Sequence, residues 1–376
     1  MISQTQLKKY IATVAKEREK SLGDWHPVIF DLRKSQDRIA LASLFKKKLI
    51  GEVIDDFADQ TKELGMVQRP ASITHAVLSG KAVSSRVFLA KGVWVYYPWR
   101  MCLVHILDKR EYHLVRTSRN FNLILPREQR AFEKFHIGIA GLNVGNPGAI
   151  CIALEGGGGD IKLADNDVLS LSNLNRFRAG LPDLGVNKAV LSARQMYEIN
   201  PFARISVFPD GILPDTIDRF LGVPKVDLLI EEMDNLKLKI AVREHARTMK
   251  IPVLMVTGNG PNVIIDVERF DQNPRLPLLS GHLSSRVIKG IESTVPGKGT
   301  MRERILLARD FMGVRHLHER LQKSFLLVGS RLAGIPQIAE SSFLRGAAIC
   351  YFARQIAVGA RVPSGRYVLH MDSIIQ

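Results

Sequence analysis

Short, largely apolar segments recur through the middle of the chain: His136–Ala140, Ile161–Ala164, Arg204–Phe208, Val226–Ile230 and Ile251–Thr257. Such runs, bounded by glycine, proline or acidic residues, suit strands buried on both faces of a parallel sheet. Segments with helical spacing lie between them, from Ile150 to Leu154 and from Ala189 to Glu198. Strand and helix in alternation predict an α/β fold, a mostly parallel sheet flanked by helices. After the turn Gly258-Asn259-Gly260-Pro261, the run Asn262–Asp266 is where the sheet is expected to leave its parallel order.

The first part of the chain reads differently. Thr5–Leu22 and Asp37–Leu64 carry apolar residues at helical spacing among charges, and Trp25–Asp31 reads as extended. Val87–Tyr97, Met101–Leu107 and Tyr112–Val115 read as strands, the first two separated by Pro98-Trp99-Arg100. Together these predict a small α+β module over residues 1–115. Within it, Trp94, Tyr96, Tyr97 and Trp99 resemble a stacking platform, although strand alternation favours a core face for two of them. At the other end, Phe343–Gly359 has helical periodicity and Tyr367–His370 a final strand, while Pro296-Gly297-Lys298-Gly299 marks a turn in an arginine-rich segment.

Chemistry concentrates between His136 and Lys188. The first buried strand breaks into Gly141-Leu142-Asn143-Val144-Gly145-Asn146-Pro147, where Asn146 is a candidate N-cap and Pro147 a candidate first helical residue. A helix starting there offers backbone N–H groups to an anion. The next strand delivers Asp165-Asn166-Asp167, with Asp165 twenty positions after Gly145. That is the offset at which mononucleotide-binding α/β folds hold a ribose hydroxyl. The glycine signal is weak, because Ala140 and Leu142 break the full fingerprint. Arg176 and Lys188 then add a guanidinium and an ammonium, a pair better suited to a triphosphate than to a pyrophosphate.

The ordered set of degenerate glycine loop, Asp165-Asn166-Asp167, Ser172-Asn173-Leu174-Asn175-Arg176, Gly185-Val186-Asn187-Lys188, Asn200-Pro201 and Met233-Asp234-Asn235 resembles the ubiquitin-activating E1-like superfamily. Its bacterial members include the thiamin and molybdopterin adenylyltransferases. The resemblance implies a Rossmann-like E1 adenylation domain over residues 116–270, a C-terminal helical and crossover-loop region over 271–376, and the N-terminal α+β module as an appendage. It also implies ATP as substrate, bound by Gly141, Asn143, Gly145, Asp165, Asp167, Asn173, Arg176, Lys188 and Asn235. Asp234 would hold Mg2+ or shape the surroundings of the attacking carboxylate. Arg119, in the segment Arg116-Thr117-Ser118-Arg119-Asn120, would reach the phosphates as a finger, in homodimers often across subunits; a surface arginine is the plainer alternative.

Composition narrows the branch. Cys102, Cys151 and Cys350 are the only cysteines, far apart within apolar runs, so a four-cysteine zinc site is not available and no zinc is expected. Buried thiols are the simplest reading of all three. The absence of the sulfur apparatus resembles the E1-like enzymes that modify ribosomally made peptides, as in microcin C and pantocin A biosynthesis. The implied function is adenylation of a carboxylate, a glutamate side chain, on an acidic precursor peptide, followed by intramolecular attack and cyclisation. The excess of 53 Lys and Arg over 37 Asp and Glu, a net +16, agrees with an acidic partner but also with a plain basic surface. A tRNA-modifying enzyme of the threonylcarbamoyl adenosine type, an adenylyltransferase of a sulfur-carrier protein, and an inactive scaffold remain as alternatives. No signal-like or membrane-length apolar segment occurs, so a cytoplasmic location and no membrane partner are expected.

Overall fold

The computed structural model describes residues 4–70, 89–293 and 300–374. The chain forms two compact units, one of Met1–Pro126 with Ala193–Phe202, the other of Arg127–Ser192 with Ala203–Gln376. The turn expected at Pro296–Gly299 and the first two residues of the run from Val87 lie outside the described residues.

In the first unit, helices α1 (Gln4–Ser21), α2 (Ser35–Lys46), α3 (Phe57–Gln68) and α4 (Lys109–Arg116) accompany a four-stranded sheet. Its strands β1 (Val28–Phe30), β2 (Glu52–Asp55), β3 (Val93–Tyr97) and β4 (Cys102–Ile106) are ordered β1-β3-β4-β2. β3 and β4 form the antiparallel hairpin expected around Pro98, turned by Met101 at φ 49°. Two expectations fail here. Glu52–Asp55 interrupts the helical stretch as an edge strand parallel to β4, and Tyr112–Val115 is helical. As α4, that segment packs Tyr112, Leu114 and Val115 on Phe57, Leu64 and Leu107, which a strand's alternation would not allow. Trp94, Tyr96 and Tyr97 are buried, so the hairpin aromatics are core rather than platform. Trp94 and Phe57 stack on opposite sides of His105, each with ring centroids 4.2 Å apart.

The second unit holds a seven-stranded sheet ordered β11-β10-β9-β8-β5-β6-β7. β5 (Ile137–Ala140), β6 (Ile161–Ala164), β7 (Ile205–Phe208), β8 (Leu228–Glu231) and β9 (Val253–Asn259) are parallel. β10 (Asn262–Glu268) and β11 (Gly365–Leu369) complete it antiparallel, as the turn after β9 foretold. Every residue of β5, β6 and β8 is buried. The described helices of this unit include α5 (Pro126–Lys134), α6 (Leu142–Leu154), α7 (Lys188–Ile199, shared with the first unit), α8 (Ile217–Gly222) and α9 (Leu236–Thr248). They are followed by α10 (Ser285–Glu292), α11 (Met301–Met312), α12 (Glu319–Phe325) and α13 (Ala339–Ala357). The chain leaves β5 toward β6 and β7, then returns to its other side as β8. Strand order therefore reverses beside β5, the place where open α/β sheets gather ligands at their carboxyl ends.

Candidate active site

The helix after β5 starts earlier than the sequence suggests. α6 begins at Leu142 with Gly141 as its N-cap, and Pro147 lies inside it. Gly141 takes φ +89°, and a Cβ there would lie 2.4 Å from the Glu232 carbonyl carbon and oxygen. Only glycine lets β5 turn this sharply against the end of β8. Asn146 is consequently a buried mid-helix residue whose Nδ2 donates to Ser192 Oγ at 2.9 Å.

Asp165, at the end of β6, accepts the Leu142 N–H at 2.6 Å on one oxygen and the Asp167 N–H at 2.8 Å on the other. It clamps the start of α6 to the acidic turn. Burial raises its pKa, opposed by those two N–H groups and by Lys188. Asp167 accepts from Lys188 Nζ at 2.8 Å, and the ammonium is itself buried at 3% exposure. Lys188 thus enters the site at the first residue of α7, fixed by the turn it faces.

The Ser172–Arg176 loop is held from both sides. Asn173 Oδ1 accepts the Ser170 N–H and hydroxyl, forming a local cap. Asn175 Nδ2 donates to the Gln337 carbonyl at 2.8 Å, and Ser342 Oγ on α13 donates to the Arg176 carbonyl at 3.0 Å. The Arg176 guanidinium reaches Ser172 O and Asn175 Oδ1, while its Nε is buried without a partner. Burial lowers its pKa, countered by Asp234. Asp234 is exposed on the turn after β8, and Asn235 caps α9 by accepting the Leu238 N–H at 3.1 Å.

Asp234 and Val144 share the wall of a cavity of about 650 Å³ with Gly258, Ile338, Ser341 and Arg345. Asn143 and Gly145 sit in the first turns of α6. Arg119 occupies a short 3-10 turn, Ser118–Asn120, in the first unit.

Glu231 and Glu232, at the end of β8, are both buried. Burial opposes the Glu231 charge, but Lys239 and Arg243 outweigh it and hold the carboxyl below its ordinary range. Lys239 Nζ lies 3.1 Å from both Glu231 oxygens, and Arg243 bridges Glu231 to Glu268. Glu232 accepts the Val256 N–H at 2.6 Å. Burial pushes it up to about 8, only partly offset by Lys239, that N–H and Arg345. Arg345, on the cavity wall, was missed as a site residue; the carboxyl that acts on it, Glu232, lies far away in sequence.

Cys151, Glu155 and Cys350 bring their ligand atoms within 4.8 Å of one another. Glu155 is already paired with Arg354 at 2.9 Å, which competes with a metal ion for the same carboxylate. The hydrogen bond with Cys151, and burial, drive the Cys350 thiol far above its ordinary range.

Residues 116–262 match the ThiF family, and the chain therefore carries a ThiF-family, E1-like adenylation domain. Its mostly parallel sheet flanked by helices is the Rossmann-like fold of that class. An uncharacterized protein of Mycobacterium tuberculosis is 35% identical over 273 residues, 73% of this chain and 37% of that protein. A tRNA threonylcarbamoyladenosine dehydratase of Escherichia coli is 30% identical over 162 residues, 41% of this chain and 60% of the enzyme. The chain thus spans less than two thirds of the length of either relative. A crystal structure of PaaA is similar at 16% identity with a TM-score of 0.49, covering 82% of this chain and 88% of that one. Adenylating enzymes of the ThiF family use ATP. Among the described residues, no helix is long and apolar enough to cross a membrane.

Proposed function

We propose that this protein activates a carboxylate by transferring AMP to it from ATP. The observation that carries the reading is that Asp234, on the turn after the central strand β8, lines an open cavity and acts electrostatically on the half-buried Arg176 guanidinium. A carboxylate oxygen attacks the α-phosphorus, the bond to the bridging oxygen breaks, and pyrophosphate departs with the electron pair. The products are an acyl adenylate and pyrophosphate. Arg176 and Lys188 supply the fixed positive charge that offsets the charge gathering on the leaving group. Asp165, with its backbone bonds using one lone pair on each oxygen, retains acceptors for a ribose hydroxyl. Asp234 presents hard oxygen to Mg2+, which would neutralise phosphate charge when bound. Gly141, Asn143 and Gly145 line the start of α6, while Asp167, Asn173 and Asn235 fix Lys188, the arginine loop and α9. Arg119 is proposed as a second phosphate-directed guanidinium.

The test is ATP–pyrophosphate exchange. Wild-type exchange should fall about 10²-fold or more in each of Arg176→Ala, Lys188→Ala and Asp234→Ala. Equal activity in all four proteins would leave an inactive scaffold as the better account.

The substrate we favour is an acidic, ribosomally made peptide whose glutamate side chain is adenylated and then opened by a nucleophile of the same peptide. β2 is an edge strand whose residues are exposed, a surface on which an extended peptide can add as a further strand. The net +16 favours an acidic partner. A peptide losing the mass of water in the presence of ATP and magnesium supports this; a peptide of unchanged mass counts against it. A tRNA substrate is the second reading, favoured by the E. coli dehydratase relative. It requires tRNA binding that weakens steeply with salt.

A further inference from the structure

Arg345 is the most anomalous charge in the second unit. It sits in the middle of α13 at 3% exposure, yet its Nε has no hydrogen-bond partner, and among the described residues its guanidinium forms no ion pair. The carboxyl that acts on it electrostatically, Glu232, is buried in the end of β8 and spends one oxygen on the Val256 N–H. Arg176 adds a second positive charge nearby instead of relieving the first. A buried arginine is ordinarily paired, because a charge taken out of water without a counter-charge is strongly destabilising. Such a group persists where a ligand supplies the missing anion.

The surroundings say where that anion sits. Arg345 lines the cavity that Asp234 rims, and two other buried polar atoms without partners, His318 Nδ1 and Gln337 Oε1, belong to residues of the same wall. Gly258 keeps the approach open: a Cβ there would come 3.4 Å from Arg345 Cζ and Nη1 and 3.0 Å from Ser341 Oγ. The rest of the wall includes Val144, Leu321, Ile335 and Ile338. Arg345 is the one buried guanidinium of this lining, Arg320 being exposed, and apolar walls around a planar, permanently charged donor fit an acyl chain that terminates in a carboxylate. A triphosphate asks for several donors along its length.

We propose that Arg345 is the carboxylate-positioning residue of this cavity, receiving the acid group that is to be adenylated. The proposal rests on the adenylation reading and deepens it. Two anions, the carboxylate and the triphosphate, must meet, and Arg345 removes the repulsion from the incoming one while fixing the angle at which its oxygen faces the α-phosphorus. Once the anhydride forms, the acid has lost its charge and its hold on the guanidinium, which frees the acyl group for the next step.

The test uses the full-length protein with acetate, glutarate and pyrophosphate as probes, each against sodium chloride at equal ionic strength, with thermal unfolding as the readout. Saturating glutarate should raise the wild-type midpoint by about 2–4 °C. Arg345→Met should lose that response, and Arg345→Lys should keep part of it. In chloride alone, Arg345→Met should unfold no earlier than wild type, because it removes an unpaired buried charge. Pyrophosphate should stabilise wild type and Arg345→Met alike. The proposal is overturned if Arg345→Met keeps the glutarate response, if it unfolds several degrees early in chloride, or if it loses the pyrophosphate response instead. Wild-type protein that responds to glutarate but performs no pyrophosphate exchange in the presence of either glutarate or a glutamate-rich peptide would retain the carboxylate site and overturn the adenylation reading alone.

Discussion

Glu232 and Arg345 approach one another behind the end of β8 without pairing, and the pH response of the protein should carry their signature. Glu232 holds its proton up to about 8 when folded, against an ordinary value of 4.5. Between those values the unfolded chain has released the proton and the folded chain has not, so stability falls as pH rises through the window and levels off beyond it. Glu232→Gln mimics the protonated acid and cannot ionise. Urea unfolding from pH 5 to 8 should therefore give a flatter stability profile in the variant, with the two proteins converging toward pH 4.5. A slope unchanged by the substitution would place the titrating group elsewhere.

At the level of elements, the junction of β5, α6 and β8 governs the site. Gly141→Ala would drive a methyl group into the Glu232 carbonyl and force a side chain into a left-handed backbone, at a cost of about 2–4 kcal/mol. Denaturant titration should show that loss together with weakened nucleotide binding. The same junction marks where the sequence was legible and where it was not. Fully buried strands such as Ile137–Ala140 announce themselves by short apolar runs, and Asp165 stands at the end of its strand, at the offset of twenty from Gly145 read along the chain. The helix start was misplaced because Asn146-Pro147 carries the usual capping chemistry, whereas Gly141 succeeds by fitting against a backbone ninety residues away in sequence. Tyr112–Val115 was read as a strand because an apolar run of four has no period long enough to separate the two cases. Arg345 looked like any helical arginine between Leu344 and Gly346. Nothing local says that its carboxyl neighbour is already committed to Val256.

Across the molecule, α6 and α13 expose apolar side chains to solvent: Leu154 at 57%, Phe343 at 55% and Tyr351 at 53%. Leu154 and Phe343 also line a second cavity, of about 800 Å³, together with Cys151, Arg178 and Ala347. We propose this face as the contact between two copies of the chain. Light scattering should report a dimer for wild type and a monomer for Phe343→Asp, with little change in folding, since the substituted side chain is surface-exposed in the single chain. Monomeric wild type would overturn that contact.

The chain's three tryptophans, Trp25, Trp94 and Trp99, all fall in the first compact unit, and one of them lies flat against a histidine ring. Indole emission therefore reports mainly on the α+β unit, with Trp99 also sensing the shared helix α7 through its bond to Glu198, and excited Trp94 is poised for quenching by the imidazole pressed on its face. A fluorescence trace is weighted toward the first unit while a circular dichroism trace sums the backbone of both, so a gap between them measures how far the two units unfold independently.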